Sequence, residues 1–176
     1  LTMLIFKQIE SISNKEIVFY FGRTLTTNLF RKGKEMQIVQ YYRQVKAEFE
    51  YCFNIQTVET LTEAEFKKLS WLLAETFEPD KFGSTAFLSG QSIVEIGPRL
   101  NFATAWNTNA LSIFRSCGIS KINRIERSRR YKVPAGVDRE EFIRSRYDQM
   151  TEHVYANQLT TFDTGLIPEA VYIIPL

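Results

Sequence analysis

The sequence is poor in the residues that most often carry chemistry. Histidine occurs once, at His153, and cysteine twice, at Cys52 and Cys117. A single histidine excludes a metal site built from several, and without a CxxC pair a structural zinc site has no basis. No GxxxxGK[ST] or GxGxxG run is present, so the usual nucleotide-phosphate loops are missing. No apolar run approaches the ~18 residues needed to cross a bilayer. The opening LTMLIFKQIE lacks the basic-then-apolar order of a secretory signal. The two cysteines are far apart and belong to no pair motif, which fits a reducing, cytoplasmic setting. A net charge of +2 by itself calls for neither nucleic acid nor a membrane surface.

What is present is an ordinary globular balance with a heavy aromatic share. Of 176 residues, 44% are hydrophobic, 24% charged and 14% aromatic, with 14 phenylalanines, enough for one domain with a real core or for two small related halves. The stretch AEFEYCFNIQTV alternates: Ala47, Phe49, Tyr51, Phe53 and Ile55 share one face, and Glu48, Glu50, Cys52, Asn54 and Gln56 share the other. Period two predicts an antiparallel strand with one wet face. A shorter strand is expected at Ile17 to Phe21. Between the two, the spacing of Ile38, Tyr42 and Val45 predicts a helix from about Lys34.

Start and stop signals mark the other elements. Thr62 and Glu65 form a capping box, with Leu61 and Phe66 at the staple positions. Phe66, Leu69, Leu73 and Phe77 then make the apolar stripe of a helix that ends near Phe77, before Pro79. SIVEIGP reads as a strand halted by Gly97-Pro98. NTNALSIFRSCG reads as a helix with Gly118 as its left-handed cap. KINRIERSRRYKV extends as a strand. VDREEFIRSRYDQM repeats the helix-start signal, with Asp138 as cap and Glu141 three residues on. Past Met150 the periodicity fades. The expected fold is therefore α+β, with two related strand-helix-strand halves (about 15–60 and 90–135) whose antiparallel sheets pack together. The helix over 62–77 connects them, the domain covers 1–150, and 151–176 is the start of a linker.

Three features compete for a functional role. Cys52 and His153 are a nucleophile and base only on paper, against a plain buried thiol and a helix-end histidine bonded to terminal carbonyls. Lys121, Arg124, Arg127, Arg129, Arg130 and Lys132 face Glu126 alone. They read as a nucleic-acid surface, a charged edge strand or a docking face for an acidic neighbour, and Tyr131 as the lone interleaved aromatic disfavours single-stranded nucleic acid. The third feature is the GPRLNFATAWNTNA stretch, Gly97 to Ala110. A loop entering a helix aims backbone N–H groups forward. Thr104, Asn107 and Thr108 are able to cap, Arg99 can grip a phosphate or carboxylate in two places, and Trp106 can pack beneath. The plainer alternative pairs Arg99 with a structural carboxylate. Asn101 and Asn109 complete the set of candidate substrate- or interface-facing residues. No general base lies within the stretch, so no catalytic residue and no metal ligand are assigned.

VEIGPRLNFATAWNTNALSIFRSCGISKINRIERSRRY resembles the N-terminal region of the large, single-chain phosphoribosylformylglycinamidine synthases, the PurL family. LTEAEFKKLSWLL and YDQMTEHVY resemble the same region in the same order, so the likeness runs roughly from Phe49 to Tyr155. The combination of GPR, T-x-W-x-T-N and R-x-E-R-x-R-R-Y is specific. The resemblance implies a domain similar to a dimer of the small PurS protein. It would belong to a ligase that amidates formylglycinamide ribonucleotide with ATP and Mg, using ammonia released from glutamine. The family's synthetase histidine and glutaminase residues fall outside the motifs present here, so the resemblance implies a supporting role. The implied partners are the synthetase and glutaminase domains of the same chain, and the implied contributions are to the ammonia path and the substrate site. A free-standing basic module for nucleic acid or a protein partner is the alternative.

Overall fold

The computed structural model describes residues 36–75, 78–90 and 92–165. The strand expected at Ile17 to Phe21 and the end of the helix at Phe77 lie outside the described residues. In order, the elements are β1 (Gln37–Lys46), β2 (Phe49–Thr57), α1 (Glu63–Leu73), a 3-10 turn (Pro79–Lys81), β3 (Phe82–Gly83), β4 (Ile93–Pro98), α2 (Ala105–Ser116), β5 (Ile122–Lys132), α3 (Arg139–Arg144) and β6 (Glu152–Tyr155). The strands form one sheet in the order β3-β1-β2-β5-β4-β6, with every neighbouring pair antiparallel. The α+β class with antiparallel pairing is as the sequence predicts, and β4-α2-β5 is the expected second strand-helix-strand unit.

The helix expected from Lys34 is not there; Gln37–Lys46 is the strand β1, paired along its length with β2. The 4-3 spacing of Ile38, Tyr42 and Val45 imitates a helical stripe, but these β-branched and aromatic side chains suit a sheet covered on both faces. On the apolar face, Phe53 and Ile55 of β2 and Ile125 of β5 pack with Leu69 and Leu73 of α1 and with Ala110, Leu111 and Phe114 of α2. Farther along, Val94 and Ile96 of β4 pack with Phe142 and Ile143 of α3.

The opposite face departs from expectation. Glu50, Cys52, Asn54 and Gln56 are not a wet face: Glu50 is 0% exposed, and Glu126 and Ser128 on the neighbouring β5 are 0% exposed too. Two segments reach this polar face. Phe87 and Leu88 donate their N–H groups to Glu50 Oε2 (2.8 and 3.1 Å), and the carbonyl of Leu159 accepts from Gln40 (2.6 Å). Burial of the face is possible because its charges are paired. Arg130 contacts both Glu50 and Glu95.

That pairing also corrects the edge-strand reading of KINRIERSRRYKV. β5 is central, between β2 and β4. Arg124 pairs with Glu126 at 3.1 Å and Arg129 with Glu152 at 2.5 Å. Arg127 lies over the rings of Tyr51 (4.4 Å) and Trp106 (5.2 Å). A strand can be this basic and central because, besides its own Glu126, acids reach it from β2, β4 and β6.

The helix ends follow local chemistry. The Thr62–Glu65 capping box is complete. α1 stops at Leu73 because Glu75 takes a left-handed φ of 53°. α2 ends in a Schellman arrangement: Ile119 N–H donates to Phe114 O (2.8 Å) and Gly118 N–H to Arg115 O (3.0 Å), with Gly118 at φ +80°. Asp138 caps α3 through Glu141 N–H at 2.8 Å. α3 is far shorter than the expected run to Met150. Ser145 turns its hydroxyl back to Phe142 O, and Asp148 binds Met150 N–H and the Thr151 hydroxyl in a turn of its own. The chain after that turn forms β6 on the sheet edge, so His153 sits on a strand, not at a helix end.

β4 ends at Pro98 as the sequence predicts, and Gly97 is itself paired with β6 within the strand. Its need is space: a Cβ there would fall 2.5–2.7 Å from the Tyr155 ring, whose hydroxyl donates to Pro98 O at 2.8 Å. Gly97→Ala is expected to cost about 1–3 kcal/mol by overpacking. In a Tyr155→Ala background the same change should cost much less, because the clashing ring is gone. Urea denaturation of the four-member cycle measures this; equal costs in both backgrounds would remove Tyr155 as the cause.

Candidate functional site

The loop from Arg99 into α2 is built from beneath. Thr104 is the cap: its hydroxyl oxygen accepts from Asn107 N–H at 3.0 Å. The same hydroxyl donates to Glu126 Oε2 (2.7 Å), and Thr104 N–H donates to Glu126 Oε1 (3.2 Å). Arg124 spans the loop, donating to Leu100 O at 3.1 Å, to Phe102 O, and to Glu126 Oε1 through Nε at 3.2 Å. Asn107 is buried and splices α2 to β5, its Oδ1 accepting from Ile125 N–H at 2.9 Å. Trp106 stacks near Phe53, ring centroids 6.0 Å apart, against the core.

The seven residues singled out by sequence therefore divide. Thr104, Asn107 and Trp106 face inward and build the loop. Arg99 is exposed and donates to Gln149 O at 2.8 Å, a backbone carbonyl and not a carboxylate. Asn101, Thr108 and Asn109 are exposed. Arg124 and Glu126 do as much for the loop as its own residues, and spacing could not find them, because they act from β5 across more than twenty positions. Two hollows of ≈ 350 Å³ lie elsewhere, flanking Lys132 and Pro134 and lined by residues such as Phe49, Tyr131 and Arg146 or Val133 and Arg139, with no residue of the loop among them.

Cys52 has no nucleophile's environment. Burial first, then the charge of Glu95, push its thiol far above the ordinary value. A thiolate is the reactive form, so this raises the cost of reaction. His153 lies on β6, three strands away, or ~14 Å at the usual strand spacing. Burial and the nearby Arg99 hold its imidazole below its ordinary value. Among the described residues no group of three or more His, Cys, Asp or Glu side chains could hold a metal ion. No helix among them is long and apolar enough to cross a membrane.

Fold and loop together define an α+β domain that presents a rigidly backed surface. The chain belongs to the formylglycinamide ribonucleotide amidotransferase N-terminal family, which matches residues 50–162. It is similar to a phosphoribosylformylglycinamidine synthase of Dictyostelium discoideum, 44% identical over 144 residues, covering 73% of this chain and 11% of that protein. A "Probable phosphoribosylformylglycinamidine synthase, chloroplastic/mitochondrial" of Arabidopsis thaliana is 42% identical over 139 residues, 72% of this chain and 10% of that one. The Homo sapiens phosphoribosylformylglycinamidine synthase is 33% identical over 132 residues, 69% and 10%. The chain thus spans about a tenth of the length of these relatives.

On the polar face of the sheet, Glu95 sets a pH dependence. Burial pushes its carboxyl above the ordinary 4.5, against the opposing pull of Ser128 and Arg130. Ser128 donates to Glu95 Oε1, and that bond opposes the shift without cancelling it. A raised folded pKa means that this stabilisation is complete below the ordinary carboxylate value and is lost as pH rises through the raised one. Glu95→Gln keeps the neutral form at every pH. The stability of Glu95→Gln minus that of the parent chain should therefore rise with pH from about 4.5 upward. A difference that falls with pH would show that Glu95 is held ionised by Arg130.

Proposed function

We propose that this chain is the N-terminal supporting domain of a phosphoribosylformylglycinamidine synthase. Its loop and the outer side of α2 dock on the synthetase core and help shape the substrate site and the ammonia path. In this reading the parent chain makes formylglycinamidine ribonucleotide with ATP, Mg and glutamine. The ligands of ATP and Mg belong to its other domains, and the synthetase and glutaminase domains are this chain's partners. The reducing compartment read from the cysteines is the cytoplasm; the Arabidopsis relative's name places that protein in organelles.

The observation that supports this is the absence of charge on an exposed surface. From Asn101 to Ile113 no residue is charged, although 24% of the chain is, which would put about three there. Yet Asn101, Phe102, Ala105, Thr108, Asn109 and Ser112 are exposed, and Ile113 is 52% exposed. By contrast α1 carries a Glu63–Lys67 ion pair on its wet side, the ordinary dress of a solvated helix. Depletion of charge is what sets the core of a protein contact apart from the rest of a surface. The nucleic-acid alternative would need a free row of guanidinium groups on β5, and Arg124, Arg129 and Arg130 are in ion pairs.

The test is Ile113→Glu in the full-length enzyme. A charge forced into the contact should lower glutamine-dependent product formation by about tenfold or more, roughly 1.4 kcal/mol, with glutamine hydrolysis retained. The same change in this chain alone should leave its melting point within a few degrees. Unchanged kinetics in the full-length variant would mean that this face stays in water.

A further inference from the structure

We infer that Arg124 is a positioning residue that couples the segment from Ala156 to Gly165 to the loop at Leu100–Thr104. Phe162 is the latch. Each nitrogen of the guanidinium donates in plane, Nε to Glu126 Oε1, Nη1 to Leu100 O and Nη2 to Phe102 O. Its flat face is covered by the Phe162 ring, whose centroid lies 4.5 Å from the guanidinium carbon. Phe162 is 5% exposed and Glu126 0%. The ring therefore keeps water from a cation whose edge bonds set the shape of the loop. Charge-assisted bonds of this kind strengthen when water is excluded and weaken when it enters.

Most residues of the segment that delivers Phe162 are exposed. It forms no strand and crosses the polar face. Leu159 O accepts from Gln40 Nε2 (2.6 Å), and Gln158 donates to Gln40 Oε1 (2.7 Å). Beyond Phe162 a short turn follows, with Asp163 N–H on the Thr161 hydroxyl and Gly165 N–H on Asp163 Oδ1. Such a segment opens locally at low cost, while the sheet below it does not. When it lifts, Arg124 loses its cover, Leu100 and Phe102 lose their donor's dry environment, and the Glu126–Thr104 bonds loosen in turn. The coupling is reciprocal: anything that grips the loop also tightens the latch. The coupling stands on these contacts alone; its use in a synthase rests on the docking reading above.

Hydrogen exchange on the 176-residue chain tests it, so that the outcome is separate from that of Ile113→Glu in the full-length enzyme. In Phe162→Ala the Thr104 amide should exchange about tenfold faster or more, with the β2–β5 ladder unchanged. Arg124→Lys should give a similar effect, and the double variant little more than either. Phe162→Tyr keeps the ring and should behave as the parent chain. Unchanged Thr104 exchange in Phe162→Ala overturns the coupling, whether or not the amides of Asp163 and Gly165 speed up. Should Phe162→Ala loosen the whole sheet, Phe162→Leu decides: acceleration confined to the loop supports the latch, and uniform or absent acceleration overturns it.

Discussion

Arg130 stands between Glu50 and Glu95 on the inner side of a sheet that has no wet face. Most of the architecture depends on that contact. Taking a cation and two carboxylates out of water costs several kcal/mol per ion unless each is well matched. The matching is distributed. Glu50 accepts the N–H groups of Phe87 and Leu88 besides Arg130, and Glu95 accepts from Ser128, which Asn54 also reaches at 3.3 Å. β2, β4, β5 and the 84–90 loop thus meet at one charge cluster, which fixes their register as an apolar core alone would not.

A second cluster repeats the logic one pleat away. Arg124 and Glu126 sit on the same face of β5, and the loop, the α2 cap and Phe162 are arranged around them. Buried charge holds the loop from below, and from Asn101 to Ile113 its exposed side carries no charge. Catalysis would ask for the reverse, a titratable group facing out. The loop thus presents shape rather than charge, and the chain's match spans about a tenth of the length of its relatives.

How much of this was legible in the sequence depended on how far apart the interacting residues lie. The Thr62–Glu65 box, the Asp138 cap and the Gly118 turn are contacts over a few positions, and spacing alone identified them. Thr104 was one of three possible caps, and only the fold chose it. β1 imitates a helix because Ile38, Tyr42 and Val45 satisfy the helical period although they lie on both faces of its strand. The wet face was misread because alternation reports polarity, and polarity equals exposure only when partners are missing. The partners of Arg130 lie 80 and 35 positions away, and nothing in a local window announces them. The family likeness was legible because a long ordered motif needs no three-dimensional pairing to be seen.

The central claim is that paired charge, not solvent, satisfies the polar side of the sheet. Equilibrium denaturation of Arg130→Met tests it most directly. The account predicts a loss of about 3–5 kcal/mol, or failure to fold, because two carboxylates are left buried without their cation. Adding Glu50→Gln and Glu95→Gln to Arg130→Met should recover a substantial part of that loss. A loss below about 1 kcal/mol for Arg130→Met, the scale of a surface ion pair, would contradict the claim and return this face to water.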